Sequence, residues 1–200
     1  MTSHTNEITH LDIVAEFLEI VIHSVLYVKK LYPNSIFLPR KKYGLAVYQV
    51  VHPELREYIK ECLTAISFHF KKGDLKKIYI CFVNADDRIF EKVVIEILGF
   101  NYTSEGDTFL VDLEQCLRDF LLKLYNSQSY LEDLTQDAFF TIQLETSRTC
   151  ALEFNEDASH EAFPWVEYHG TKGQPADFYS IVPLHTLETH ALKLQMYAEK

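Results

Sequence analysis

The stretch KIYICFVNADDRIFEKVVIEIL, residues 77–98, decides the fold. Its two halves, Lys77–Asn84 and Ile89–Leu98, are rich in β-branched and aromatic residues, and the polar Ala85-Asp86-Asp87-Arg88 separates them. That pattern reads as a β-hairpin, although its turn lacks the favoured Asn-Gly or Asp-Gly pair. Downstream, Asp107 or Thr108 opens a helix with Phe109, Leu113, Leu117, Phe120, Leu121 and Leu124 at helical spacing. Phe140, Ile142 and Leu144 then alternate with Thr141, Gln143 and Glu145, a strand with one wet face. Upstream, His52-Pro53 begins a helix with Leu55, Tyr58, Ile59, Cys62, Leu63 and Ile66 on one face and Gly73 as its stop. Before it, residues from about Ile8 to Leu31 are apolar nearly all round, as a central buried helix requires, with Thr9 and Asp12 as a loose capping start and Pro33 as the end. Helices and strands come in groups rather than as repeated βαβ units. The expected class is therefore α+β, a mostly antiparallel sheet backed by three helices, in one domain spanning residues 1–200.

Composition limits the function. With 48% apolar and 14% aromatic residues the chain can fill one large core. Its net charge of −10, from 29 acidic and 19 basic residues, is opposite to what phosphate-backbone binding needs, so no direct contact with nucleic acid is expected. The Arg40-Lys41-Lys42 cluster reads as a solvated loop, with DNA contact as the rival reading. Cys62, Cys81, Cys116 and Cys150 lie far apart without a CxxC pair, which suits a reducing compartment. The opening MTSHTNEITH has no basic start or apolar core of a signal peptide, and no apolar run approaches the ~20 residues that span a bilayer. Neither secretion nor membrane insertion is expected. Walker, GxGxxG, GxSxG, HExxH and zinc-spaced patterns are absent, and Cys150 with a distant His has no local signature. These point away from an enzyme and from any cofactor or metal.

Between Ser147 and Ser180 periodicity lapses: the acidic EFNEDASHE is followed by Phe163-Pro164-Trp165 and then HGTKGQPAD. Pattern returns with Ile181, Val182 and Leu184, and with Leu192, Leu194 and Met196 alternating with Lys193, Gln195 and Tyr197, two further strands. A connection this long without its own structure is either functional or disordered. It carries the chain's single Trp, which reads either as a recognition anchor or as a plug that tacks the loop to the core.

FLEIVIHSVLYVKKLYP (17–33), IFLPRKKYGLAV (36–47), HPELREYI (52–59), EQCLRDFLLKL (114–124), AFPW (162–165), IVPLHTL (181–187) and ALKLQMYAEK (191–200) together resemble the HORMA-domain family. Within it the pattern is most similar to the mitotic-arrest-deficient-like B branch, accessory subunits of DNA polymerase zeta. The resemblance implies a core at about 8–146 and a C-terminal safety belt with its strands at about 147–198, wrapping over an extended peptide that pairs with the sheet edge. It implies open and closed states of the belt, and a nuclear protein, also cytoplasmic.

The same resemblance implies where partners bind. Tyr32, Tyr58 and Trp165 would form an aromatic trap for a Pro-containing peptide of the polymerase zeta catalytic subunit, Tyr58 alternatively being an ordinary core-facing helix residue. Two residues past Trp165 stands Glu167, where the family pattern has an apolar residue, so the partner motif would differ in detail. Ile181, Gln195 and Tyr197 would receive the C-terminal domain of a Y-family scaffold polymerase, a plain solvated strand face being the alternative. Arg118 would serve contacts between HORMA domains, or be simple surface. An AAA+ remodelling ATPase is a further implied partner. The nearest rival is a HORMA adaptor of the spindle checkpoint or the meiotic chromosome axis, binding other motifs.

Overall fold

The computed structural model describes residues 3–100, 107–127, 137–168, 180–190 and 192–200. Helix α1 (Ser3–Val28) runs through the centre, with Val14, Phe17, Val21, Ile22, Val25 and Leu26 wholly buried, as an all-round apolar helix must be. It starts already at Ser3, so Thr9 and Asp12 lie within it rather than capping it. Helices α2 (Pro53–Lys71) and α3 (Asp107–Asn126) pack against it from two sides. Pro53 opens α2 in its first turn, and Gly73, at φ 68°, closes it with its N–H on the Phe70 carbonyl.

The basic cluster is not a loop. Arg40, Lys41 and Lys42 end strand β1 (Phe37–Lys42), which pairs antiparallel with β2 (Leu45–Val50). Tyr43 and Gly44 both have positive φ (49° and 70°), the two-residue turn whose twist suits a tight hairpin. Arg40 and Lys41 are exposed, while Lys42 bonds Glu16 of α1. Exposed residues 38–41, Pro39 among them, hide the apolar alternation that would have announced a strand.

The main sheet contains β3 (Lys77–Val83), β4 (Ile89–Phe100), β5 (Phe139–Glu145), β6 (Ile181–Glu188) and β7 (Leu192–Glu199). Their order is β5-β3-β4-β7-β6, antiparallel throughout. The β3–β4 hairpin is central. Its turn does without Asn-Gly because the Asn84 side-chain oxygen accepts the Asp86 and Arg88 N–H groups (3.1 and 3.0 Å) and Asp87 takes φ 57°. Ile78, Ile80, Phe82, Val93, Ile95, Leu194 and Met196 share one cluster with the buried faces of the three helices, so the sheet is backed as the sequence pattern implied.

The connection from β5 to β6 leads from one edge of the sheet to the other. Its first part is ordered, against expectation. Arg148–Glu156 forms helix α4, followed by a 3₁₀ turn at Ala158–His160. Ser147 caps α4 by accepting the Cys150 N–H at 3.4 Å, and only Phe154 of the helix is buried, too little apolar spacing to register as a period.

Candidate functional site: a trench along the open sheet edge

Strand β5 has a partner on one side only, among the described residues. The Glu145 carbonyl accepts from Lys76 toward β3, so by the two-residue period Thr141, Gln143 and Glu145 face β3 with their main-chain groups. Phe140, Ile142 and Leu144 turn theirs to the open side. The opposite wall is built from α4 and residues 165–168. Between them lies a cavity of about 610 Å³, lined among others by Leu144, Arg148, Leu152, Trp165 and Tyr168. Toward the other end of β5 a cavity of about 450 Å³ is lined by Tyr32, Pro33, Leu55, Tyr58 and Phe140.

Rings connect the two. Phe140 meets Tyr32 at 6.3 Å and Tyr58 at 5.5 Å, both edge-on. Tyr58 meets Phe163 at 5.8 Å, and Phe163 meets Trp165 at 6.2 Å. Tyr32, Tyr58 and Trp165 are thus brought to one line, with Phe163 between Tyr58 and Trp165. Burial pushes the Tyr58 phenol up to about 12, so it stays protonated. Its oxygen accepts the Ile142 N–H at 3.0 Å. The Trp165 Nε1 is buried without a hydrogen-bond partner.

Three contacts moor the outer wall to the C-terminal part of α2 and the residues just after it. The Asp74 carboxylate accepts the Ser147 N–H at 3.0 and 3.1 Å and lies 3.3 Å from His69 Nδ1. Phe154 stacks on His160 at 3.8 Å and meets Phe68 edge-on. Lys72 pairs with Glu153 at 2.6 Å. Asn155 then grips Trp165 by both main-chain groups: its Oδ1 accepts the Trp165 N–H (3.1 Å) and its Nδ2 donates to the Trp165 carbonyl (2.7 Å). Asp74 and Asn155 escaped sequence reading, since nothing in their local pattern marks a partner 73 or 10 residues away, and the pattern marks Phe140 and Phe163 only as a strand residue and a loop residue. Glu167 is exposed and stands 4.0 Å from Arg148, so a polar contact occupies this position.

Ile181, Gln195 and Tyr197 lie elsewhere, on β6 and β7. Gln195 and Tyr197 share the sheet face turned away from the helices, where Gln195 Nε2 donates to Glu96 at 2.7 Å and the Tyr197 hydroxyl to the same oxygen at 3.5 Å. Ile181 is two-thirds exposed (66%) and pairs with Glu199 in the ladder, next to Tyr197 along that face. Arg118 is exposed on α3 and lies against the β1–β2 turn, its Nη1 2.8 Å from where a Cβ on Gly44 would stand. His/Cys/Asp/Glu groups that could hold a metal do not occur among the described residues.

The family model for the HORMA domain matches residues 11–163. The mitotic spindle assembly checkpoint protein MAD2B of Homo sapiens is 32% identical over 190 residues, covering 94% of this chain and 90% of that protein. DNA polymerase zeta subunit 2 of Drosophila melanogaster is 21% identical over 187 residues, covering 92% and 94%. In the crystal structure of the mitotic checkpoint complex a chain superposes with a TM-score of 0.77 at 15% identity, over 95% of this chain and 97% of that one. HTP-2 of C. elegans bound to the HIM-3 closure motif gives 0.72 at 11%, over 98% and 91%. A model matched over most of the chain, relatives collinear across it and a shared fold lead to one conclusion: the chain belongs to the HORMA-domain family, an adaptor related to MAD2B and to the polymerase zeta subunits.

Proposed function

We propose that this protein is a non-catalytic adaptor subunit of translesion DNA polymerase zeta. It traps a Pro-containing peptide of the catalytic subunit on the open side of β5, beneath a safety belt formed by the segment after Ser147. The observation that carries this reading is the edge of β5, unpaired among the described residues, in a walled trench, while β6 and β7 occupy the opposite side of the sheet. An exposed edge is ordinarily covered or blunted; one left open between an aromatic line and a moored wall suits strand addition. Tyr32, Tyr58 and Trp165 would hold the peptide, and Glu167 with Arg148 would meet a polar rather than an apolar residue of it.

On the outer face, Ile181, Gln195 and Tyr197 would bind the C-terminal domain of a Y-family scaffold polymerase, so that the adaptor bridges the two enzymes in the nucleus. Arg118 would serve HORMA–HORMA contact, and an AAA+ ATPase would reset the belt. The checkpoint name of the human relative supports a second reading, in which the same trench takes a spindle-checkpoint or chromosome-axis motif.

Calorimetric titration with each partner tests the bridge. Trp165→Ala is expected to weaken the peptide by about 2 kcal/mol and leave the scaffold domain unaffected, with Tyr197→Ala doing the reverse. A folded variant of either kind that loses both partners rules the two-surface scheme out. Affinity purification from cells decides between the readings, a B-family polymerase catalytic subunit supporting the first.

A further inference from the structure

Phe140, Ile142 and Leu144 offer main-chain N–H and C=O groups on the open side of β5, and an added strand would engage them in turn. One of those groups is already occupied. The Ile142 N–H is held by the Tyr58 hydroxyl at 3.0 Å. The Tyr58 ring is wedged between Phe140 (5.5 Å) and Phe163 (5.8 Å), so a ligand carbonyl reaches Ile142 only by evicting it. On the Leu144 side the edge opens directly into the 610 Å³ cavity. On the Phe140 side the surface is mostly ring and aliphatic carbon, from Tyr32, Pro33, Ile36, Leu55, Tyr58 and Phe140, with His52 and Glu54 also lining it.

We propose that the Tyr58 hydroxyl sets the register and the backbone chemistry of the trapped peptide: strand pairing runs along Leu144 and stops at Ile142, and the stretch beyond, over Tyr58, Phe140 and Tyr32, makes no ladder bonds. This rests on the peptide-trapping reading above and specifies its ligand. A residue that makes no ladder bond needs no N–H, so proline or an N-methylated residue is tolerated there and packs on the rings. In the Leu144-facing half the same change deletes a ladder bond. The recognised class is an extended peptide in two parts, one of strand and one free of N–H demand. Occupying the middle N–H also interrupts the edge against indiscriminate strand addition in the unliganded protein.

The test is a backbone N-methyl scan of a peptide from the polymerase zeta catalytic subunit, titrated by fluorescence anisotropy against wild type and Tyr58→Phe. Amide exchange at Ile142 and Leu144 is followed in parallel. Wild type is expected to lose several-fold to about tenfold in affinity for methylation in the Leu144-facing half, and nothing in the other. In Tyr58→Phe the sensitivity should extend across Ile142 toward Phe140, and in the free variant the Ile142 amide should exchange faster than in wild type. An unchanged scan profile with Leu144 still protected by the peptide overturns the register role alone. No protection of Leu144 by any peptide overturns both this role and the trench reading. An Ile142 amide equally slow in the free variant shows that the hydroxyl does not hold it, and overturns the proposal without reference to any ligand.

Discussion

At the scale of single residues, one ion pair among the described residues lies almost entirely out of water. Lys29 Nζ meets Glu91 at 2.7 Å with side chains 0% and 3% exposed, and the second Glu91 oxygen is buried without a partner. Removing the lysine strands the carboxylate. Lys29→Ala is expected to cost about 3–5 kcal/mol in urea unfolding, whereas Lys29→Met with Glu91→Leu should come close to wild type. Asn155 acts through its grip on a main chain, so Asn155→Ala should loosen residues 165–168 at a cost of about 1 kcal/mol. Trp165 is the only Trp, and a red shift of the intrinsic emission reads that loosening directly. His69 and Asp74 tie the same wall to pH. Burial outweighs the Asp74 contact and holds His69 below its usual 6.5. The unfolded chain therefore takes the proton first, and stability falls as pH drops below 6.5 until the folded histidine protonates too. For Asp74, burial works to raise the carboxyl but the Ser147 and His69 hydrogen bonds outweigh it; its contribution persists above 3.8 and is lost below, through its lowered folded value. Melting temperatures measured from pH 7 to 5 should decline, and His69→Gln should flatten that slope.

Elements show which local signals were strong enough to read. The β3–β4 hairpin, α2, α3, β5 and the two C-terminal strands follow their periodicity, because each has a face that packs on the core. The β1–β2 hairpin and α4 did not announce themselves. β1 buries only Phe37, and α4 only Phe154, so neither leaves a repeating apolar mark. Such elements hold by their turns and caps. Ser147→Ala should cost about 1 kcal/mol and free the start of α4, seen as faster amide exchange at Cys150. Gly44→Ala should cost about 1 kcal/mol at its φ of 70°, and should still do so in an Arg118→Ala background, since the guanidinium is a flexible neighbour while the dihedral is fixed by the turn.

Across the whole molecule, the topology brings the last strand of the chain into the sheet. β7 lies between β4 and β6, with Leu192, Leu194, Met196 and Ala198 essentially inaccessible. It is part of the core. Leu194→Ala is accordingly expected to cost about 2–5 kcal/mol by chemical denaturation, far more than a substitution on a dispensable tail. The amino-acid sequence by itself determined the α+β class, the buried central helix, the central hairpin and the segment whose irregularity marks it out, all of which are set by apolar spacing between near neighbours. It also offered Tyr32, Tyr58 and Trp165 as candidates, through family likeness rather than periodicity. Only the tertiary structure decided that β5 is the open edge, that Phe140 and Phe163 join those aromatic residues, that Asp74 and Asn155 moor the wall, and that Tyr58 holds the Ile142 N–H. Those facts depend on strand order and on bonds between residues up to 84 positions apart, and local spacing carries no record of contacts that arise only when distant elements pack.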